Sequence, residues 1–160
     1  MNFTIVQANY LDQQQSEEIS LLMNAYAMDA MGGGQPLDAH VVDTIAAELA
    51  KRPYAFSFIG YVDGKAASLI NCFELFSTFA CKPLINIHDF IILKEFRGYG
   101  LSQKMLTYVE EFAIKQGCCK LTLEVLSGNE IAKAAYLKFG FDNYQLDPST
   151  GHALFWQKPL

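Results

Sequence analysis

The spacing of apolar positions changes along the chain, and each change marks an element. Residues 3–7 alternate and predict a strand; Asp12 then caps a helix to about Met28, with Ile19, Leu22, Met23 and Tyr26 as its buried stripe. Met31-Gly32-Gly33-Gly34-Gln35-Pro36 is a loop, since glycines and proline cannot continue a helix. Asp38 caps a second helix, which Pro53 stops near Lys51. Residues 54–62 and 65–76 flank Asp63-Gly64, and an Asp-Gly pair between two apolar runs is a hairpin signal. A loop over residues 77–83 leads to a central strand, 85–93. Leu101, Met105, Val109, Phe112 and Ala113 then recur at helical spacing, predicting a helix over residues 98–117. A strand over 119–126, a helix over 129–138 that buries Ile131 and Leu137, and a final hairpin through Asp147-Pro148-Ser149-Thr150-Gly151 into residues 153–157 complete the order.

The resulting pattern, β-α-α-β-β-β-α-β-α-β-β, predicts an α/β fold with a mixed sheet whose crossover helices follow parallel strands. No internal repeat, linker or low-complexity stretch divides the 160 residues, so one domain is expected, long enough to bury its own core. The longest uncharged apolar stretch, residues 66–73, is too short to cross a bilayer, and Met-Asn-Phe-Thr-Ile at the start is not a signal peptide. A cytoplasmic protein without membrane contact is the expectation. A formal net charge of −5 argues against nucleic acid as a partner and is compatible with a cationic substrate. Cys72, Cys81, Cys118 and Cys119 lack metal-ligand spacing, so no metal site is expected and the thiols read as reduced.

Candidate chemistry concentrates between Arg97 and Phe141. Arg97-Gly98-Tyr99-Gly100 lies between an apolar strand and an amphipathic helix. There the first helical N–H groups lack partners inside the helix and the peptide dipoles leave a partial positive charge, which suits a phosphate. Glycine lets the backbone approach the ligand, and Arg97 adds charge-assisted hydrogen bonds; a glycine pair also serves merely to relieve a tight turn. Farther on, Asn129, Ala132 and Tyr136 share one face of the next helix, where Asn129 can cap it and the Tyr136 phenol gives a polar tip. A dinucleotide or P-loop site is disfavoured, for neither Gly-x-Gly-x-x-Gly nor Gly-Lys-Ser/Thr is present.

The order strand, Arg-Gly-x-Gly, amphipathic helix, strand, Asn-x-x-Ala-x-x-x-Tyr and Phe139-Gly140-Phe141 resembles the GNAT superfamily of acetyl-CoA-dependent N-acetyltransferases, strongly over residues 85–158. The resemblance implies a single-domain mixed sheet of about seven strands flanked by four helices. Its strands 85–93 and 119–126 would splay apart around the pantetheine arm of coenzyme A. The family's pyrophosphate loop maps onto Arg97, Gly98, Tyr99, Gly100, Leu101 and Ser102; Ser102 departs from the usual Gly or Ala, and Lys94 stands where Pro is common. Phe90, Ile91 and Ile92 match the strand that binds the pantetheine amides, with the Ile92 N–H as oxyanion donor, and Asn129, Ala132 and Tyr136 complete the cofactor set. Tyr136 matches the general acid.

Acetyl transfer to an amine also needs a group that removes the amine's proton, because an alkylamine of pKa about 10.4 is protonated at neutral pH. By strand alternation Asn86, His88 and Phe90 share one face and Ile87, Asp89 and Ile91 the other, barring a bulge. His88 has the suitable intrinsic pKa, Asp89 can orient substrate or water, and Glu74 is a third candidate. The resemblance places the acceptor pocket at Tyr26, Met31, Gly32, Gly33, Gly34, Asn71, Phe73, Glu74 and Phe76, and aromatic groups beside a carboxylate suit a small-molecule amine or a peptide amino group. The same fold also serves as a non-catalytic acyl-CoA sensor, the alternative reading. Ala153-Leu154-Phe155-Trp156 is either core or half of the interface of a homodimer, an assembly common in the family.

Overall fold

In the computed structural model, which describes residues 1–160, the elements are β1 (Phe3–Gln7), α1 (Gln13–Met28), α2 (Ala39–Ala50), β2 (Ala55–Val62), β3 (Lys65–Ser77), β4 (Lys82–Ile92), α3 (Leu101–Lys115), β5 (Leu121–Leu123) and α4 (Glu130–Phe139). The chain divides into two compact units, residues 1–123 and 124–160. The first holds a five-stranded sheet in the order β1-β2-β3-β4-β5. β1 to β4 pair antiparallel and β5 joins β4 in parallel. Asp63 and Gly64 both take positive φ, 49° and 80°, which is the type I′ geometry a tight hairpin requires.

Each face of this sheet is covered by the helices whose stripes the sequence displays. On one face Ile19 and Leu22 of α1 and Leu49 of α2 close over Ala55, Ile59, Leu69 and Ile91. Leu101, Met105, Leu106 and Val109 of α3 are also fully buried, and Phe112 meets the rings of Phe56 and Phe58 at 4.8 and 5.1 Å. Gly60 makes room for this second layer, since a Cβ there would lie 2.7 Å from Met105 Sδ. Asp12 caps α1 by accepting from Gln15 N–H at 2.9 Å, whereas Asp38 begins α2 without a side-chain cap.

Three expectations need correction. The sheet has five strands, because residues 153–157 form no strand: the bond from Ala153 N–H to Tyr144 C=O at 3.1 Å ties that segment back without extending into a ladder. β5 is Leu121–Leu123 rather than residues 119–126, since its pairing stops at Ile87↔Leu123, where β4 bulges. In the second unit α4 buries neither Ile131 nor Leu137; both are exposed. No helix of the structure is long and apolar enough to cross a membrane.

Candidate active site

The site begins at an irregularity in β4. Asn71 of β3 pairs with Asp89 and the next residue, Cys72, pairs with Ile87, so His88 is one residue in excess. A bulge of this kind interrupts the alternation of side chains. The His88 ring meets Phe73 edge-on at 5.3 Å, and Asp89 Oδ2 accepts a hydrogen bond from Asn71 Nδ2 at 3.0 Å. Phe73 and Asn71 are two apart on β3 and share the face covered by α1. His88 and Asp89, expected on opposite faces, therefore emerge side by side on that one. His88 is exposed and Asp89 half-buried.

The bulge also shifts the phase of the backbone. Ile85 N–H bonds across to Lys120 C=O of the β5 side, and Leu93 N–H bonds to Ala67 C=O of the β3 side. Alternation between Leu93 and Asp89 then turns the amides of Phe90 and Ile92, not Ile91, toward the side where β5 has already ended. Asn86 holds the last paired stretch together, its Nδ2 donating to Thr122 Oγ1 at 3.0 Å. The β4–β5 pairing ends at Ile87↔Leu123. Past it the Ile92 amide turns to the β5 side of β4, and a main-chain donor there suits the amides of an extended ligand arm.

At the end of β4 the chain makes a 3-10 turn, Lys94–Phe96, and enters α3 through Gly98 and Gly100, whose φ values of 86° and 77° favour glycine. Gly100 is the N-cap of α3 and supplies no side-chain cap. The α3 N-terminus thus keeps the donor set that suits a diphosphate. Arg97 does not point its charge at this terminus. Its Nε donates to the Ile92 carbonyl at 2.8 Å and its Nη2 to Asp29 Oδ2 at 2.8 Å, so the guanidinium braces the loop between the end of β4 and the end of α1. Tyr99 is exposed, Leu101 is buried in the core and Ser102 half-buried.

Asp29 escaped the sequence reading, although a carboxylate between a helix end and three glycines is a cap signal. It ends α1 and organises the following loop: Oδ1 accepts from Met31 N–H at 3.0 Å, and its carbonyl accepts from Gly32 and Gly34 at 2.9 and 3.1 Å. Its bonds from Arg97 and Met31 hold the carboxyl below the usual range. Gly32 is required here by crowding, because a Cβ would fall 1.9 Å from the Tyr26 carbonyl oxygen. Gly33, with φ of 113°, and the partly exposed Met31 lie in this loop as expected. Burial, then the charges of Asp89 and Asp29, push the half-buried Tyr26 phenol up from its ordinary value.

The other acceptor candidates separate. Phe73 lies with His88, whereas Asn71 is 2% exposed and spends its amide on Ser57, Met23 and Asp89, so it does not line a pocket. Glu74 projects to the opposite face from Phe73, where its charge raises the Cys118 thiol after burial has done so. Phe76 is exposed near the end of β3. In the second unit Asn129 caps α4, Oδ1 accepting from Ala132 N–H at 3.2 Å, and the Tyr136 ring meets Phe141 edge-on at 5.8 Å. Helix α4 ends at Gly140 with φ of 113°.

A parallel pair that ends part-way along β4, followed by a glycine loop at a helix start, gives an α/β protein whose α3 N-terminus suits phosphates and whose β4 amides suit an amide-bearing arm. Comparison with known proteins gives the family. Residues 21–141 match the Acetyltransferase (GNAT) family, and the chain belongs to it. Membership carries the enzyme class, acyltransferase, and the cofactor, acetyl-CoA. The thialysine N-epsilon-acetyltransferase of Bos taurus is 36% identical over 56 residues, 35% of this chain and 33% of that protein. The chain therefore matches about a third of that relative's length. Among solved structures, a possible acetyltransferase from Clostridium difficile 630 is similar with a TM-score of 0.79, 18% identity and coverage of 100% of this chain and 99% of that one. An aminoglycoside N-acetyltransferase in complex with CoA gives 0.73 and 20% over 99% of this chain and 96% of that one.

Proposed function

We propose that the chain is an N-acetyltransferase that moves the acetyl group of acetyl-CoA to a primary amine, on a small molecule or an exposed amino group, by direct attack in a ternary complex. The observation that carries this reading is the β4 bulge, which sets His88 and Asp89 together beside the opened strand edge. Acetyl-CoA supplies an activated thioester. The α3 N-terminus and the loop braced by Arg97 hold its phosphates, and the main-chain groups of β4 past Ile87 hold its amide-bearing arm.

The remaining roles fall to groups the chain itself carries. Asp89 attracts the ammonium form of the acceptor, and His88 takes the proton that must leave before nitrogen can attack. The Ile92 N–H donates to the developing oxyanion. Tyr136, at the family's general-acid position, gives the proton that the departing thiolate needs, a phenol of pKa about 10 being suited to that task. Tyr26 and Phe73 offer ring faces to the amine, as the aromatic component of its pocket. The names of the similar proteins point to thialysine and aminoglycosides as acceptor classes to try first.

A screen of thiol release from acetyl-CoA over thialysine, lysine, aminoglycosides, polyamines, arylalkylamines and peptide N-termini tests the proposal, with acetyl-CoA binding measured by calorimetry. Turnover that depends on one amine class is expected. Failure of millimolar acetyl-CoA to produce heat, or release of thiol independent of every amine, overturns it.

A further inference from the structure

One row of polar side chains runs across the sheet on the face under α1. The register aligns Ser57 of β2 with Asn71 of β3, and Asn71 with Asp89 of β4. Ser57 Oγ donates to Asn71 Oδ1 at 2.6 Å, Asn71 Nδ2 donates to Asp89 Oδ2 at 3.0 Å, and the Tyr10 hydroxyl reaches Ser57 Oγ at 2.9 Å. Ser57 and Asn71 are 1% and 2% exposed, yet the neighbouring positions on this face are the apolar Ala55, Ile59, Leu69 and Ile91. Apolar residues would pack the same space without the cost of burying two polar side chains, so packing alone does not account for the row.

The chemistry of the groups fixes the direction of every bond. A carboxylate only accepts, so the Asn71 edge facing Asp89 must be the NH2 and the edge facing Ser57 the carbonyl. Ser57 must then donate its single proton to Asn71, which leaves its oxygen to accept from Tyr10. The amide cannot flip without setting its oxygen against the Asp89 carboxylate. A carboxamide neither gives up nor takes on a proton under ordinary conditions, so the row does not conduct protons from Tyr10 to Asp89. It ends on one oxygen of Asp89, one residue past the bulge.

We infer that Asn71, held in a single orientation by Ser57 and Tyr10, is a positioning residue that aims the Asp89 carboxylate beside His88 for the incoming amine. The inference rests on the acetyltransferase reading of the site. Asn71 touches no substrate in this arrangement and acts through Asp89. The row anchors the acidic end of the site to β2, two strands in from β4.

A double-mutant cycle tests it, using the amine turned over fastest in the screen. Asn71→Leu lowers kcat about tenfold or more while the KM for acetyl-CoA changes less than about twofold. Asp89→Asn lowers kcat at least as far, and the double variant falls no further than Asp89→Asn alone. Effects that multiply overturn the inference, because Asn71 would then act independently of Asp89. So does an unchanged kcat in Asn71→Leu when Asp89→Asn is slow. Should Asn71→Leu fail to show a cooperative melt, Ser57 carries the test: Ser57→Ala slow and Ser57→Thr restored supports the row, and equal rates overturn it. A wild-type protein that acetylates no amine in the panel removes the acetyltransferase reading and this inference with it.

Discussion

At the scale of single residues, one inserted histidine decides the site. Without His88 in excess, Asp89 would face the α3 side, and His88 and Asp89 could not serve one amine. In the proposed mechanism the His88 imidazole takes a proton and the Asp89 carboxylate holds an ammonium, and these different jobs separate their variants. Replacing His88 by Gln keeps a hydrogen-bonding group but no base, so kcat falls by about 100-fold with little change in the KM of the amine. Asp89→Asn instead raises that KM as well, since the lost charge contributes to binding before the transition state. Tyr136→Phe lowers kcat and leaves coenzyme A affinity within about twofold, because the proposed mechanism sends the phenol proton to the leaving thiolate and asks nothing of it for nucleotide binding. Steady-state kinetics on the three variants checks all of this, and an unchanged kcat for Tyr136→Phe removes the phenol from the mechanism.

At the scale of elements, the ion pair between Asp29 and Arg97 joins the end of α1 to the loop before α3. Its energy is small, since both groups are partly exposed and such pairs contribute about 0.2–1 kcal/mol. Its pH signature has a definite sign. The Asp29 carboxyl titrates below its ordinary 3.8 in the folded chain, chiefly through the Arg97 bond, so the stabilisation is present in full above that value. It is lost as pH falls through the lower folded value. Chemical unfolding between pH 6 and pH 2, values chosen on the order of two units either side of an ordinary carboxylate, therefore shows a smaller acid loss of stability in Asp29→Asn than in the wild type. Equal slopes show that the pair stabilises nothing. Arg97→Gln cuts the same brace and weakens coenzyme A binding by about tenfold, roughly 1.4 kcal/mol, through a loosened loop and not through a lost phosphate contact.

These elements also show where the pattern of residues was readable. The stripes of α1 and α3, the Asp63-Gly64 hairpin and the glycine loop all rest on contacts within a few residues, and they stand where the spacing put them. The bulge rests on which strand pairs with which, so period two alone misplaced Asp89 relative to His88. For the same reason Asn71 read as pocket-lining: nothing local records that Ser57 and Asp89 flank it across the sheet. Arg97 read as a phosphate ligand because Asp29, 68 positions away, was not visible as its partner.

At the scale of the molecule, the strand count depended on pairing that apolar runs cannot specify, and the segment at residues 153–157 shows it. The opened β4 edge and the α3 N-terminus both lie in the first unit, the one that contains the sheet. A ligand that fills them binds the folded chain and not the unfolded one, so acetyl-CoA must raise the melting temperature by mass action. At 100 times its Kd the gain is about 2.7 kcal/mol, which for a chain of this size corresponds to roughly 5–10 °C. Adenosine 3′,5′-bisphosphate lacks the pantetheine arm and leaves the β4 edge unfilled, so its shift at the same multiple of its own Kd is equal while its Kd is weaker. Hydrogen exchange separates the two ligands further. Acetyl-CoA protects the Ile92 amide, which faces the gap, and leaves Ile91 unchanged, because that residue already belongs to the β3 ladder. The nucleotide fragment protects neither. Protection of Ile91 without Ile92 would mean that the backbone phase set by the bulge is the reverse of the one described, and the arm would then have to lie elsewhere.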